Sequence, residues 1–497
     1  MTSLQSLPPE LLARIISFCS ADTLTLARIC GVSQLFNGLA TPLLYAQFRQ
    51  IVWPTNNSIL AFIRTIVTRP DLARYVKQIV LQDVVDGLSG IEIDEDTKGL
   101  CLRRFDDIRK ILLNESTPNA SKLTWKASET SEVEGAYIPV LVCSLPNLET
   151  IIFRESYKPE CFMSAVECAG ALLRKRQLSQ GSGLSIPFSQ LRSIRTISTE
   201  SKYGYLDFDE LHPFFNLPSA RDFEIALANG EWRARDTEEE DGALWRVKPR
   251  SSPVERLSFQ YSAMTDHCMR RIVGSCANLK ELHFTYGRIH MYEPDFTPLQ
   301  LQNMVLEHAA TLEVLHMNYD DDWHKVLWDD EHNDSPEVLR FDNQLARLSR
   351  LRKLSVNFAA LFGIGVPVIQ RFGGALAERE PPRVSLSAML PQSLEQLEIT
   401  CCDHRVIPHL QELAASCRDE RFSQLRSIKC VFAEEHTDRL KVMHVAIPEV
   451  RVEFTFFGLE RRQQMLYLPH VPLKERLGLD QSQLFDDEML LYRGKIQ

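Results

Sequence analysis

Residues 279–284 read Leu-Lys-Glu-Leu-His-Phe, with apolar residues at the first, fourth and sixth positions of the unit. Leu282 and Phe284 alternate with polar residues, which is the pattern of a short strand that has one buried face. The same unit recurs along most of the chain, and its copies begin at Leu148, Ala220, Val254, Leu279, Leu312, Leu351, Leu394 and Leu425. A recurring unit of this kind predicts a repeat architecture.

Weaker copies of the unit extend the pattern in both directions. One contains Leu191 and Ile194, residues 76–81 fit a first strand, and residues 450–454 fit a last strand. The spacing between copies is uneven, and only Asn318 and Asn357 supply the asparagine that usually follows such a strand. The array is therefore expected to be irregular, with inserted loops.

The stretches between the strands have the apolar spacing of helices. The clearest of them are residues 162–178, 266–277, 299–309, 366–379 and 406–417. Strand, turn and helix in repetition predict an α/β fold, namely a curved solenoid in which a parallel sheet is backed by helices. A TIM barrel or a doubly wound domain is the main alternative, but the glycine-rich βα loops expected of such enzymes are missing from the sequence.

Composition and charge narrow the functional classes. The chain has 497 residues, of which 44% are hydrophobic and 25% charged, as in ordinary folded proteins. The net charge of −10 argues against a nucleic-acid partner. No apolar run is long enough to span a membrane, and the first residues do not resemble a signal peptide. Twelve scattered cysteines without an export signal are expected to be reduced thiols, in the cytoplasm or the nucleus.

The first 50 residues differ from the rest of the chain. Pro8 and Pro9 are suited to the start of a helix, and Asp22 and Ser33 are suited to cap a second and a third helix. Thr41, followed by a proline, repeats the capping signature and predicts the start of one more helix. Such a small helical module buries little apolar surface by itself, so we expect it to pack against its own C-terminal domain, against a partner, or against both.

This module resembles an F-box. The family's opening Leu-Pro-x-Glu-Leu-Leu-x-x-Ile corresponds to LPPELLARI at residues 7–15. Its middle leucine corresponds to Leu24 and its Val-Ser pair to Val32 and Ser33, whereas the aromatic that follows is Phe36 and not a tryptophan one position later. The resemblance covers about a tenth of the chain. With its repeat pattern, the chain is similar to F-box proteins of filamentous fungi that carry leucine-rich-repeat-like domains.

The resemblance implies a partner and a division of the chain. An F-box inserts apolar side chains into a Skp-family adaptor, and the adaptor links it to a cullin-based ubiquitin ligase. The residues implied to face the adaptor, or to support that face, are Leu7, Pro8, Leu11, Leu12, Ile15, Leu24 and Val32. The expected domains are an F-box at 1–50, a leucine-rich-repeat-like solenoid at 51–458 and a C-terminal cap or tail at 459–497.

The repeat pattern also indicates where a protein target would bind. Strand residues between the buried positions point to the open, concave face, and they are polar with mixed charge. An acidic insertion at 320–334 holds two tryptophans that suit a basic, partly apolar partner segment. The candidate target-binding residues are Arg256, His283, His316, Trp323, Trp328, Lys353, Glu398 and Lys429. Ordinary solvated strand positions, and tryptophans that pack back onto the array, are the alternative interpretation.

The sequence contains no recognisable catalytic motif. The neighbouring residues Cys401, Cys402, Asp403 and His404 lack a second cysteine pair, so the two cysteines are interpreted as core or loop thiols and not as part of a zinc site. We therefore expect no metal, no cofactor and no enzymatic activity. The leading hypothesis is a substrate-recognition subunit of a ubiquitin ligase. A non-catalytic repeat scaffold and an α/β enzyme with an unrecognised site are the alternatives.

Overall fold

The structure divides into two compact units, Met1–Val314 and Leu315–Gln497. It is a computed structural model, and it describes residues 7–20, 22–49, 58–81, 94–114, 132–154, 160–178, 186–197, 206–207, 211–226, 228–230, 247–286, 297–318, 340–362, 385–402, 405–419, 421–433 and 450–457. The helix predicted at 366–379 and the cap predicted at 459–497 lie outside these residues.

The chain begins with three short helices, α1 (Pro9–Ser17), α2 (Thr23–Cys30) and α3 (Gln34–Leu44). Both predicted caps are present. The side chain of Asp22 accepts a hydrogen bond from the backbone N–H of Thr25 at 3.0 Å, and Ser33 accepts one from Phe36 at 3.3 Å. These bonds satisfy donors that a helix start otherwise leaves unpaired.

The helix predicted to start at Thr41 does not form separately, because α3 continues through Pro42 to Leu44. A proline disrupts a helix by removing one N–H donor and by crowding the preceding turn. Here it lies in the last turn, where few helical bonds remain to be lost. The chain then closes the helix through a hydrogen bond from the N–H of Tyr45 to the carbonyl of Thr41 at 3.1 Å.

The three helices share a small apolar core. Its fully or nearly fully buried members are Leu12, Ile16, Leu26, Phe36 and Ala40, and Leu7 is among the partly buried residues that pack against them. Burial of one such leucine or isoleucine contributes about 1.5–3 kcal/mol. The module therefore holds its own helices together with only five well-buried side chains.

The first unit contains a parallel sheet whose strands follow one another in chain order. Its strands are β1 (Gln47–Arg49), β2 (Gln78–Leu81), β3 (Thr150–Arg154), β4 (Ser193–Ile197), β6 (Asp222–Ala226), β8 (Arg256–Met264) and β9 (Glu281–Tyr286). Two short strands, β5 (Leu206–Asp207) and β7 (Ala228–Gly230), form a small parallel ladder with the end of β8. β1 lies before the first predicted strand and pairs in parallel with β2.

Bifurcated hydrogen bonds join successive strands at their beginnings. The carbonyl of Arg221 accepts from the N–H groups of Glu255 and Arg256 at 2.9 and 3.0 Å. The carbonyl of Glu255 in turn accepts from Lys280 and Glu281 at 2.8 and 3.0 Å. Because one carbonyl has two lone pairs, it can hold both amides, and each new strand thereby starts in the same register as the last.

The helices of the first unit lie between the strands in sequence. They are α4 (Ser58–Thr68), α5 (Pro70–Ala73), α6 (Glu95–Asn114), α7 (Glu132–Cys143), α8 (Glu160–Leu178), α9 (His212–Phe215), α10 (Asp266–Ser275) and α11 (Pro298–Leu306). α8, α10 and α11 confirm three predicted helices. In α11, Thr297 and Gln300 form a capping box, in which each side chain bonds the other residue's backbone N–H.

The second unit repeats the arrangement. Its first strand, β10 (Val314–Asn318), begins at the boundary between the units, and β11 (Lys353–Asn357), β12 (Gln396–Cys402), β13 (Ser427–Ala433) and β14 (Arg451–Phe457) follow. Neighbouring strands from β11 to β14 are parallel. Its helices are a 3₁₀ turn at Asn343–Arg347 and α12 (Phe358–Phe362), α13 (Leu386–Met389) and α14 (Val406–Arg418), the last of which confirms the helix predicted at 406–417.

The predicted strand pattern is confirmed in both units. The fourth and sixth positions of the repeat are buried, as at Leu257 and Phe259 on β8 and at Leu397 and Ile399 on β12. Within each unit the described strands of the main sheet pair in the order in which they occur in the chain. A doubly wound domain requires a reversal of that order, so the solenoid topology describes these strands and the doubly wound alternative does not.

Candidate functional site: an apolar helical patch and two polar strand faces

Large apolar side chains are exposed on the N-terminal helices. The solvent-exposed fraction is 81% for Phe18, 63% for Val32 and 60% for Leu24. We call the full set the module patch, and it consists of Leu11, Ile15, Phe18, Leu24, Val32 and Leu35. Among the described residues of the chain, Tyr75 is the one other large hydrophobic residue that is comparably exposed. Exposed apolar side chains concentrated in one small module are a common mark of an interaction surface.

Helix α1 and its C-cap residue Phe18 contribute half of the module patch, because α1 carries two apolar stripes. Leu12 and Ile16 form the stripe that faces the module core and are 0% and 2% exposed. Leu11, Ile15 and Phe18 recur at intervals of four and three residues, which places them on one adjacent face of the helix. A surface helix needs only one apolar stripe to pack on its own protein, so the second stripe is available for another one.

The residues predicted to bind an adaptor occupy three different environments. Leu11, Ile15, Leu24 and Val32 belong to the module patch, and Pro8 beside them is exposed. Leu7 is partly buried and packs against the module core. Leu12 is fully buried, so it supports the patch from inside and does not reach a partner. Phe18 and Leu35 were not singled out from the sequence, although Phe18 continues the spacing of Leu11 and Ile15.

In the first unit, each of the two candidate residues on the open strand face lies beside a carboxylate of the protein itself. We use "open face" for the strand residues that alternate with the buried ones. The guanidinium of Arg256 donates two hydrogen bonds to the carboxylate of Asp222 on the neighbouring strand, at 2.5 and 2.6 Å. His283 lies 3.6 Å from Glu281, two residues earlier on the same strand. The guanidinium of Arg256 is therefore already engaged by the carboxylate of Asp222.

In the second unit, two candidate residues contact each other directly. The Nζ of Lys429 donates to Oε1 of Glu398 at 2.7 Å, and the hydroxyl of Ser355 donates to the other oxygen at 2.9 Å. The three residues lie opposite one another on β11, β12 and β13. His316, on β10, is close enough to favour the charged form of the Glu398 carboxylate. Lys353, at the start of β11, is exposed.

The Glu398 carboxyl is stabilised in its charged form. Burial alone raises its pKa, but the hydrogen bonds from Lys429 and Ser355 outweigh burial, so the pKa lies below its usual range. The carboxylate is thus a fixed negative charge at neutral pH, with its two oxygens already bonded. This arrangement orders the open face but leaves Glu398 and Lys429 with reduced capacity for a new partner.

A row of charged residues at the beginnings of the strands was missed by the sequence reading. The residue directly after the first position of the repeat is charged in every copy before the last strand, at Lys77, Glu149, Arg192, Arg221, Glu255, Lys280, Glu313, Arg352, Glu395 and Arg426. Neighbours of opposite sign form ion pairs, including Glu255 with Lys280 at 2.7 Å and Arg352 with Glu395 at 2.8 Å. The signal was present in the sequence as a fixed position within the repeat.

Some candidate residues are outside the described parts of the chain. They are Trp323, Trp328, Asp403 and His404. Of the neighbouring thiols, Cys402 is buried and Cys401 partly buried. Across the described ranges, no group of three or more histidine, cysteine or acidic side chains is arranged to hold a metal ion.

Among the helices that the structure describes, none combines the length and the apolar character needed to cross a bilayer.

Comparison with known proteins adds no further assignment. Neither a scan against models of protein families nor a search of curated proteins finds a match to this chain.

Proposed function

We propose that this chain is the substrate-recognition subunit of a Skp–cullin–F-box ubiquitin ligase. The module patch would bind a Skp-family adaptor, and the strand units would bind a protein target. The observation that carries the proposal is the exposure of six large apolar side chains on the three short helices and in the turns between them, none of which belongs to the module core. The choice of partner rests on the F-box resemblance of residues 7–36.

The energetics of the patch suit stable docking. Full burial of one large apolar side chain is worth about 1.5–3 kcal/mol, and aromatic anchors contribute heavily to interfaces. Phe18 is the most exposed of the set and is the expected anchor. The chain itself would perform no chemistry. It would raise the concentration of a target next to a ubiquitin carrier, which is a proximity effect.

The test is a pull-down of the full-length, tagged chain with a Skp-family adaptor and a cullin. The Ile15→Ala/Phe18→Ala variant removes two side chains of the module patch. The matched control, Arg14→Ala/Ser17→Ala, changes the preceding residue at each position on the same helix, and both control residues are exposed. We expect the wild type and the control to retain adaptor and cullin, and the patch variant to lose both while its circular dichroism is unchanged.

Other outcomes separate the alternatives. If the wild type retains no adaptor, the proposal is wrong, and the helices are a cap on the first unit. Equal loss in the patch variant and the control would show that the module patch is not the contact. Retention of the adaptor without the cullin would favour the non-catalytic scaffold.

A further inference from the structure

A row of solvent-facing side chains crosses the second unit where its strands begin. Lys353, Gln396, Ser427 and Arg451 are register partners on β11, β12, β13 and β14. Lys353 and Gln396 are exposed, and the Arg451 side chain is 80% exposed. Because register partners lie side by side, the four side chains form one line on the open face.

The positions just before this row add more positive charge. Arg352 and Glu395 pair at 2.8 Å, and Glu395 is also near enough to Arg426 and Lys353 to interact with their charges. Arg426, before β13, is exposed, and neither it nor Lys353 forms an ion pair with a residue that the structure describes. Arg451 lies 3.4 Å from Glu453 on its own strand, in an exposed pair of the kind that is worth little. We call Lys353, Arg426 and Arg451 the basic rim.

The equivalent positions of the first unit show the opposite arrangement. There the row runs through Asp222, Arg256 and Glu281, so each cation has an acidic neighbour. Arg256 is engaged by both oxygens of Asp222. Lys280, in the preceding row, pairs with Glu255 at 2.7 Å. On these strands of the first unit the cations are therefore paired, whereas Lys353 and Arg426 of the basic rim have no ion pair with a described residue.

The spread of the basic rim indicates the form of its ligand. Neighbouring strands lie about 4.8 Å apart, so Lys353 and Arg451, three strands apart, are separated by about 14 Å. One phosphate group cannot bridge that distance, whereas an extended peptide presents side-chain carboxylates along such a length. Arginine forks pair well with carboxylates, and Gln396 and Ser427 lie between the cations to hydrogen-bond a peptide backbone.

We propose that the basic rim docks an extended segment rich in Asp and Glu in the target protein. The inference rests on the proposed function for the statement that this partner is a ubiquitination target. The binding itself depends only on the side chains of the second unit. The net charge of the whole chain is −10, so composition alone does not indicate a basic binding surface in the second unit.

The experiment measures binding of the full-length chain to a fluorescein-labelled dodecapeptide of alternating Glu and Ser by fluorescence anisotropy. The rim variant is Lys353→Gln/Arg426→Gln/Arg451→Gln. The matched control, Lys110→Gln/Lys248→Gln/Arg418→Gln, removes the same number of charges from exposed positions elsewhere. We expect the rim variant to weaken binding at least about tenfold and the control to change it less than about twofold. Circular dichroism verifies that both variants are folded.

Two comparison peptides complete the test. A Gln/Ser peptide is expected not to bind, and a peptide with one phosphoserine and no Glu is expected to bind at least about tenfold more weakly than the Glu peptide. Equal binding of the rim variant and the wild type, or stronger binding of the phosphopeptide, would overturn the proposal. Adaptor retention is measured on the same rim variant and should match the wild type. If the wild type does not bind the adaptor, the proposed function is wrong, but binding of the Glu peptide to the basic rim can still be observed.

Discussion

Glu398 and Lys429 lie opposite each other on two neighbouring parallel strands, with their charged atoms 2.7 Å apart. Sequence spacing placed both on the open face as candidates for binding a target, and the structure shows that they bind each other. Ser355 completes the arrangement from the other side. A residue's position on a binding face is therefore not enough to predict that the residue binds, because neighbouring strands can supply a partner from within the protein.

The ion pair between Glu398 and Lys429 should contribute to the stability of the second unit. Lys429→Met should lower the free energy of unfolding of the second unit by about 1 kcal/mol at pH 7, since it leaves a partly buried carboxylate without its cation. Urea unfolding followed by fluorescence measures the change. Glu398→Gln/Lys429→Met is the control, and in it the effect of the lysine substitution should largely disappear.

The pH dependence of the same pair has a definite sign. The pKa of Glu398 is lower in the folded protein than its ordinary value of 4.5. The unfolded chain therefore binds the proton first, and the stabilisation is complete above about pH 4.5 and is lost as the pH falls through the folded pKa. An effect of Lys429→Met that is as large at pH 3.5 as at pH 7 would contradict this.

Leu11 and Leu12 are adjacent in sequence but should differ strongly on substitution. Leu12 is 0% exposed within the module core, so Leu12→Ala should destabilise the module by about 2–5 kcal/mol through lost burial and a cavity. Leu11 is 48% exposed, so Leu11→Ala should cost well under about 1 kcal/mol. Hydrogen exchange in peptides from residues 9–44 reports both changes. Equal loss of protection would show that the two stripes of α1 are not separated as described.

His308 should make the first unit sensitive to mild acid. It is 1% exposed, and its Nε2 lies 3.0 Å from the carbonyl of Val273, so that nitrogen carries the hydrogen. Burial lowers its pKa from the ordinary value of 6.5, although the hydrogen bond to Val273 opposes this. Between pH 6.5 and the folded pKa, the unfolded chain takes up a proton and the folded chain does not, so stability falls as the pH falls.

The measurement compares urea unfolding of the wild type with that of His308→Gln, which retains a donor for Val273 but does not titrate. Between pH 7.5 and 5.5 the wild type should lose up to about 1.4 kcal/mol more per pH unit than the variant. Parallel pH profiles would indicate that His308 titrates normally in the folded protein.

The thiols should divide sharply in reactivity. Burial raises the pKa of Cys143 and of Cys276 to about 12, and the buried Cys101 follows with a pKa of about 11. Cys19 and Cys30 in the module are partly exposed. Because the thiolate is the reactive form, N-ethylmaleimide at pH 8 should modify the module cysteines before these three buried ones. Peptide mapping by mass spectrometry checks the order, and early labelling of Cys276 in the native chain would contradict it.

Much of the fold followed from the sequence alone. The spacing of Leu279, Leu282 and Phe284 and of its copies located the strands, because a buried strand face repeats every second residue whatever its neighbours are. The helices α8, α10, α11 and α14 followed from their apolar periodicity in the same way. The prediction at Thr41 was wrong, because a proline in a last helical turn costs too little to end the helix.

The structure alone decided which surface residues are available to a partner. Sequence periodicity assigned apolar character to both Leu11 and Leu12, but exposure depends on where α2 and α3 pack against α1. Sequence periodicity likewise placed Arg256 and Lys353 at equivalent positions of the repeat. The register of β6 and β8 brings Asp222 against Arg256, whereas Lys353 meets Gln396 on β12. Pairing between strands far apart in sequence is a tertiary property, and it decides that Arg256 has an ion pair across the sheet whereas Lys353 has none with a described residue.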